Sequence, residues 1–244
     1  MHFRYSGGGL GESGRTIMAK VALLLATALG CQDGQPGDAV SHTSLPIVGG
    51  SKAATCEWPS AVMIIGRLVC SGALVHPRAV VTAKHCLMDN RETKVVTPSG
   101  VGFGESRDKW ARTVSVSRCH VHPTNDVGLC ILAEDVTDVP IVPVMAPCET
   151  SELLPGRPIV EVGFGVIGAT SSAYGNKKWI EGTIESRSAN LAEILVTTGS
   201  QDGEYFGDSG GPLFFQMPDR TWRLIGEDCC SDDIVAYSGP RISK

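Results

Sequence analysis

The sequence predicts an all-β domain, and three observations predict it. Short apolar or alternating runs recur along the chain, broken by Gly, Pro, Asn and Asp, which is how strands joined by turns read. No long segment carries a convincing 3.6-residue period. Glycine is common, at 29 of 244 residues, as a fold with many tight turns requires. Candidate strands span residues 61–65, 68–75, 79–82, 94–97 and 127–132, then 158–163, 177–186, 193–197, 212–215, 222–226 and 234–237. A Pro-rich connection around 140–155 reads as a crossing between two halves. All-β proteins of about 200–250 residues often form one such unit.

The N-terminal part predicts export. Lys20 precedes an apolar run at 21–29, too short to span a bilayer and the right length for a signal-peptide core. Residues 1–17 are polar and glycine-rich, so Met18 is the expected true start, and 1–30 is assigned to the signal region. Ala28-Leu29-Gly30-Cys31 resembles a bacterial lipobox, although that motif usually has Leu where Ala28 stands. Lipidation of Cys31, and with it a membrane tether, is therefore expected. The alternative is a plain secretory signal with Cys31 in a disulfide. Residues 31–46 are rich in Gly, Ser, Asp and Pro and read as a linker or propeptide, with the folded domain at 47–244.

Nine cysteines point to an oxidising compartment. No CxxC pair occurs, so disulfides are favoured over zinc. Without Cys31, eight remain, an even number that could all pair. The net charge of −5 argues against a nucleic-acid partner, which would favour a basic face.

The chemistry concentrates in Gly207-Asp208-Ser209-Gly210-Gly211-Pro212-Leu213. A serine among glycines lets the backbone turn sharply, exposes the hydroxyl and leaves the Gly207 and Ser209 amides free to meet an oxyanion. The stretch also fits the Gly-x-Ser-x-Gly elbow of α/β-hydrolases. That fold runs serine, acid, histidine, whereas all six histidines here precede Ser209. A base must then lie upstream, and His85 in Val81-Thr82-Ala83-Lys84-His85-Cys86 is the candidate.

At this point the chain resembles the chymotrypsin-like serine proteases, in four places and in their order. These are Ile47-Val48-Gly49-Gly50, then Cys70-Ser71-Gly72-Ala73-Leu74-Val75 with Thr82-Ala83-Lys84-His85-Cys86, then Asn125-Asp126-Val127-Gly128-Leu129, then Gly207 to Leu213. Gly163-Phe164-Gly165 and Ala236-Tyr237 are weaker echoes. The resemblance implies two packed six-stranded antiparallel β-barrels with the active site in the cleft between them. It implies Ser209 as nucleophile, His85 as base, Asp126 as orienter, and Gly207 and Ser209 amides as oxyanion hole. It implies a Cys70–Cys86 disulfide beside the base and an activation pair between a freed Ile47 amine and Asp208. Cofactors and metals are not called for. The partners expected are protein or peptide substrates and an activating protease, and a monomer is expected. His120 and His122 form a His-x-His pair with metal-holding spacing, but a solvated loop is the favoured reading.

Several positions depart from the family. Pro46, not Arg or Lys, precedes Ile47. Six before the nucleophile, where trypsin-like enzymes carry Asp, stands Gly203, between Asp202 and Glu204. Tyr205 replaces a cysteine, and Cys229-Cys230-Ser231 replaces the usual Ser-Trp-Gly wall. The chain ends at Lys244 without the family's C-terminal helix, so a trimmed or fragmentary C-terminus is expected. The expected function is a secreted, zymogen-activated serine endopeptidase. The alternative is a catalytically inactive binding or regulatory protein on the same scaffold.

Overall fold

The computed structural model describes residues 50–165, 175–189, 194–198, 208–229 and 235–237. Its first seven strands are β1 (Ser51–Lys52), β2 (Ala61–Ile65), β3 (Val69–His76), β4 (Ala79–Thr82), β5 (Gly100–Phe103), β6 (Arg112–Val121) and β7 (Gly128–Leu132). Six follow: β8 (Pro158–Gly163), β9 (Lys178–Arg187), β10 (Ile194–Thr198), β11 (Pro212–Gln216), β12 (Trp222–Glu227) and β13 (Val235–Tyr237). Strands β2-β3-β4-β7-β6-β5 close into a six-stranded barrel. The second half is a seven-stranded sheet in the order β12-β11-β8-β9-β10-β13, with β1 also pairing to β9. One closed barrel and one sheet thus meet the expectation of two β halves. Among the described residues no helix is long and apolar enough to cross a membrane.

Burial explains the strands that the sequence announces. Four of five β2 residues are buried, as are five of eight in β3, Cys70–Leu74. Such near-continuous apolar runs suit strands covered on both sides. Three strands were not legible, the two-residue β1 among them. In β5 two of four residues are glycine, which local propensity counts against a strand. In β6 only Val114 is buried and the rest are half-exposed or exposed, so its apolar signal is thin. Both exist because the barrel needs them to close between β2 and β7. The strand expected at 94–97 is absent. Val95 makes only a single bridge to Met88.

Three cores result. One fills the barrel, with Val62, Ile64, Leu74, Val80, Val101 and Leu132 among its members. A second fills the other half around Ile159, Ile184, Val196 and Phe215. The third joins the halves, packing Ala61, Ala73 and Val81 of the barrel against Val160, Val162, Phe214 and Leu224. Trp58 caps this junction, stacked on Phe214 at 5.0 Å between centroids and edge-on to Trp222 at 4.9 Å. The crossing between the halves carries a short 3-10 turn, Pro147–Glu152, and is clamped by hydrogen bonds from Nε and Nη2 of Arg223 to the Glu149 carboxylate at 2.8–3.0 Å.

Cys70–Cys86 and Cys119–Cys130 are disulfides, and Cys56 and Cys229 are also disulfide-bonded. Cys148 is a free, exposed thiol. The expectation that the eight cysteines after Cys31 could all pair is therefore corrected. Cys148 sits on the exposed crossing segment rather than in a core.

Candidate active site

Strand register builds the first part of the site. Thr82 at the end of β4 lies opposite Gly128 at the start of β7. The turn leaving β4 and the loop entering β7 therefore emerge side by side. His85 opens a 3-10 turn, His85–Leu87, three residues after Thr82, and Asp126 stands two residues before Gly128. They meet twice. His85 Nδ1 and Asp126 Oδ2 are 2.7 Å apart, and the His85 backbone N–H donates to Asp126 Oδ1 at 2.8 Å. One carboxylate thus holds both the ring and the main chain of the same histidine.

Two anchors fix these loops. The Cys70–Cys86 bond ties the histidine turn to β3. His122 shapes the other loop, its Nδ1 accepting from the backbone N–H of Asn125 at 2.9 Å and of Thr124 at 3.3 Å. The His-x-His pair is thus part of loop structure at His122, while His120 is exposed. Cys70, His85 and Cys86 lie close enough for metal ligands, but the sulfurs are spent in one disulfide and offer no thiolate.

Ser209 comes from the other half, in the turn before β11, and is half-buried. Its carbonyl accepts from Ser71 N on β3 at 2.9 Å. Gly210 follows with φ +80°, and a Cβ there would stand 2.2 Å from Thr82 Oγ1 and 2.6 Å from Ser71 O. Only glycine permits so close an approach with that backbone. Ser71, which the sequence marked only as part of a motif, ties the site together. Its amide holds Ser209, its carbonyl accepts from Thr82 Oγ1 at 2.7 Å, and its Oγ accepts from Phe164 N at 2.9 Å. Short motifs cannot reveal such a role, since every partner is distant in sequence.

Asp208 lies against Gly163 and Gly165. Gly165 N donates to its Oδ1 at 2.8 Å, and a Cβ on either glycine would collide with the carboxylate. The weak Gly-Phe-Gly echo in the sequence is therefore the space in which this carboxylate sits. Lys178, buried on β9, donates from Nζ to Gly165 O at 3.2 Å. Burial lowers its proton affinity and the nearby Asp208 charge partly offsets this. Gly207, Ile47 and Cys31 lie outside the described residues, as do Gly203, Tyr205 and Cys230.

The Asp126 hydrogen bond raises the His85 pKa above its ordinary value. Burial opposes the rise, and the charges of Asp126, Asp228 and Glu92 add to it. A cavity of about 250 Å³ opens beside the pair, lined also by Lys84, Met88, Glu92, Thr124 and Asn125.

A closed β-barrel packed on a second sheet, with a histidine turn carried by one half and a glycine-rich serine turn of the other hydrogen-bonded to strand β3 of the barrel, is the architecture of the two-half serine proteases. The sequence model of the trypsin family matches residues 47–226, and the chain belongs to that family. It is 25% identical to duodenase-1 of Bos taurus over 217 residues, covering 79% of this chain and 81% of that protein. It is 27% identical to chymotrypsin-C of Mus musculus over 237 residues, covering 84% and 85%.

Proposed function

We propose that this chain is an exported serine endopeptidase that works through Ser209, His85 and Asp126. The observation that carries the reading is the double engagement of Asp126 with His85, at 2.7 and 2.8 Å. With Nδ1–H given to Asp126, the other ring nitrogen, Nε2, is the basic one. It takes the Ser209 proton as Oγ attacks the scissile carbonyl carbon. The proton then passes to the departing amine, which leaves an acyl-serine. Water repeats the sequence, giving its proton to Nε2 and releasing the acid and free Ser209. Asp126 remains ionised throughout and stabilises the imidazolium. The amides of Ser209 and Gly207 meet the oxyanion.

A fluorophosphonate probe tests the reading, because only an activated serine reacts with it. Wild type is labelled and hydrolyses peptide or ester substrates. Ser209→Ala loses the label and nearly all turnover, keeping a residual rate of about 10³–10⁴ over water. Equal cleavage of a broad peptide library by both proteins would overturn the assignment, and a correctly folded wild type that never labels would favour the inactive scaffold.

Activation is proposed to follow cleavage between Pro46 and Ile47. The support is the Ile47-Val48-Gly49-Gly50 sequence together with Asp208, which is held beside the nucleophile in a niche of two glycines. A freed ammonium would give that carboxylate a charge-assisted hydrogen bond. Pro46 makes self-cleavage by a basic-residue specificity unsuitable, so a different protease is required. Comparing ester hydrolysis by chains beginning at Ile47 and at Cys31 decides the point, and equal turnover refutes the switch. Lipidation of Cys31 belongs to the same proposal and is read by the intact mass of the freshly made precursor.

A further inference from the structure

The carboxylate beside the nucleophile shares its niche with a buried lysine that the hydrolytic cycle does not use. Lys178 opens β9 and is 8% exposed. Gly165 touches both groups: its N–H donates to Asp208 Oδ1 at 2.8 Å, and its carbonyl accepts from Lys178 Nζ at 3.2 Å. A single glycine thus separates the ammonium from the carboxylate.

Strand register places them on the same side of the sheet. Lys178 stands directly opposite Gly163 in the β8–β9 pair. Residues so opposed project to the same face, with Cβ atoms about 4.5–5.5 Å apart. The space that a Gly163 Cβ would take is occupied by the Asp208 carboxylate. The lysine side chain and the carboxylate therefore lie over one stretch of β8 and the turn that follows it. Lys177, the preceding residue, is turned elsewhere, its Nζ donating to Trp58 O.

The same strand receives the chain that follows Ile47. Ser51 and Lys52 of β1 pair with Trp179 and Lys178, and a Cβ on Gly50 would stand 2.7 Å from Trp179 O. A buried carboxylate is costly without a cation near it. Coulomb attraction falls only as the inverse of distance, so an ammonium one residue away still stabilises it. The Asp208 charge in turn favours the protonated form of Lys178 against the effect of burial.

We propose that Lys178 is a positioning residue that acts through Asp208, a built-in cation that holds the nucleophile turn partly ordered before the Pro46–Ile47 bond is cut. This rests on the activation reading given above and adds to it. Before cleavage the fold itself supplies Asp208 with a positive neighbour, so the uncleaved chain keeps a basal turnover. After cleavage the Ile47 ammonium joins Lys178, and the turn depends less on the lysine. Lys178 thereby sets how far activity rises on cleavage.

The test has two independent arms. Ester hydrolysis is compared for chains beginning at Cys31 and at Ile47, each as wild type and as Lys178→Met, which keeps the apolar stem and removes the charge. Lys178→Met lowers kcat of the uncleaved chain about tenfold and that of the chain beginning at Ile47 by no more than about two- to threefold. Equal losses in both chains, or no loss in either, would overturn the proposal.

The second arm is a double-mutant cycle in the inactive Ser209→Ala chain beginning at Cys31, read by denaturant unfolding. Lys178→Met and Asp208→Asn are coupled by about tenfold in the unfolding equilibrium constant. Additive effects would overturn the proposal. Should Lys178→Met fail to fold, Lys178→Gln, neutral but still able to donate a hydrogen bond, replaces it in both arms. Equal turnover of the two chain lengths in both backgrounds would overturn the activation switch itself, and absence of all hydrolysis the triad reading. The cycle needs no turnover, so in either case it decides whether Lys178 supports Asp208.

Discussion

Asp126 spends each of its oxygens on a different N–H of His85, so the ring cannot rotate without also straining the loop. This double hold is also what raises the His85 pKa, with the side-chain hydrogen bond as the largest cause. In the proposed mechanism the base must be neutral to accept the Ser209 proton, so kcat/KM should rise with pH through this raised value. Asp126→Asn removes the cause. Its expected outcome is a fall in kcat of about 10⁴-fold together with an acidic limb moved to lower pH, read from a full pH–rate profile. An unmoved limb would mean that Asp126 does not set the His85 titration. The same raised pKa contributes folding stability that is full below the ordinary histidine value and is lost as pH rises through the folded value.

At the level of elements, the site depends on how closely the serine turn approaches the barrel. Gly210 carries φ +80° and has Thr82 Oγ1, Ser71 O and Ala83 N within 2.7 Å of where a Cβ would be. Gly210→Ala must push the turn off β3 and β4, since two of those three atoms are backbone. We expect a loss of about 2–4 kcal/mol from combined overpacking and left-handed strain, measured by denaturant unfolding, and a kcat decrease exceeding that of a distant substitution of equal cost. A variant with near wild-type stability would contradict the packing described. The Asp208 niche obeys the same logic, because Gly163 and Gly165 leave no room for a methyl group.

The whole molecule is held by the junction of its halves. Trp58 is 5% exposed and lies between Phe214 and Trp222. Trp58→Ala should cost about 3–5 kcal/mol, and an unfolding transition that splits in two would show that the junction couples the halves. Lys177 is fully buried beside it, donating to Trp58 O at 3.0 Å. Burial lowers its pKa from 10.5 to about 8. Between these values the unfolded chain binds the extra proton, so stability should rise with pH across that window. The difference in pKa corresponds to about 3 kcal/mol. Comparing wild type with Lys177→Met from pH 7 to 11 isolates this contribution, and parallel curves would refute it.

The sequence by itself determined the order His85, Asp126, Ser209, the glycine-rich serine turn and most strands of both halves. These are local features: apolar runs that must be covered and residue types that only certain backbones accept. What only the tertiary structure decided is non-local. Strands β5 and β6 carry weak local preference and form because open edges at β2 and β7 must be paired. Ser71 gains its importance from partners 11, 93 and 138 positions away. Cys148 stays unpaired because of where the crossing segment lies. Glu227 belongs to no sequence motif, and only the pairing of β12 with β11, where it stands opposite Pro212, buries it. Sequence patterns report what each residue prefers, whereas register and burial settle which charges must share one interior.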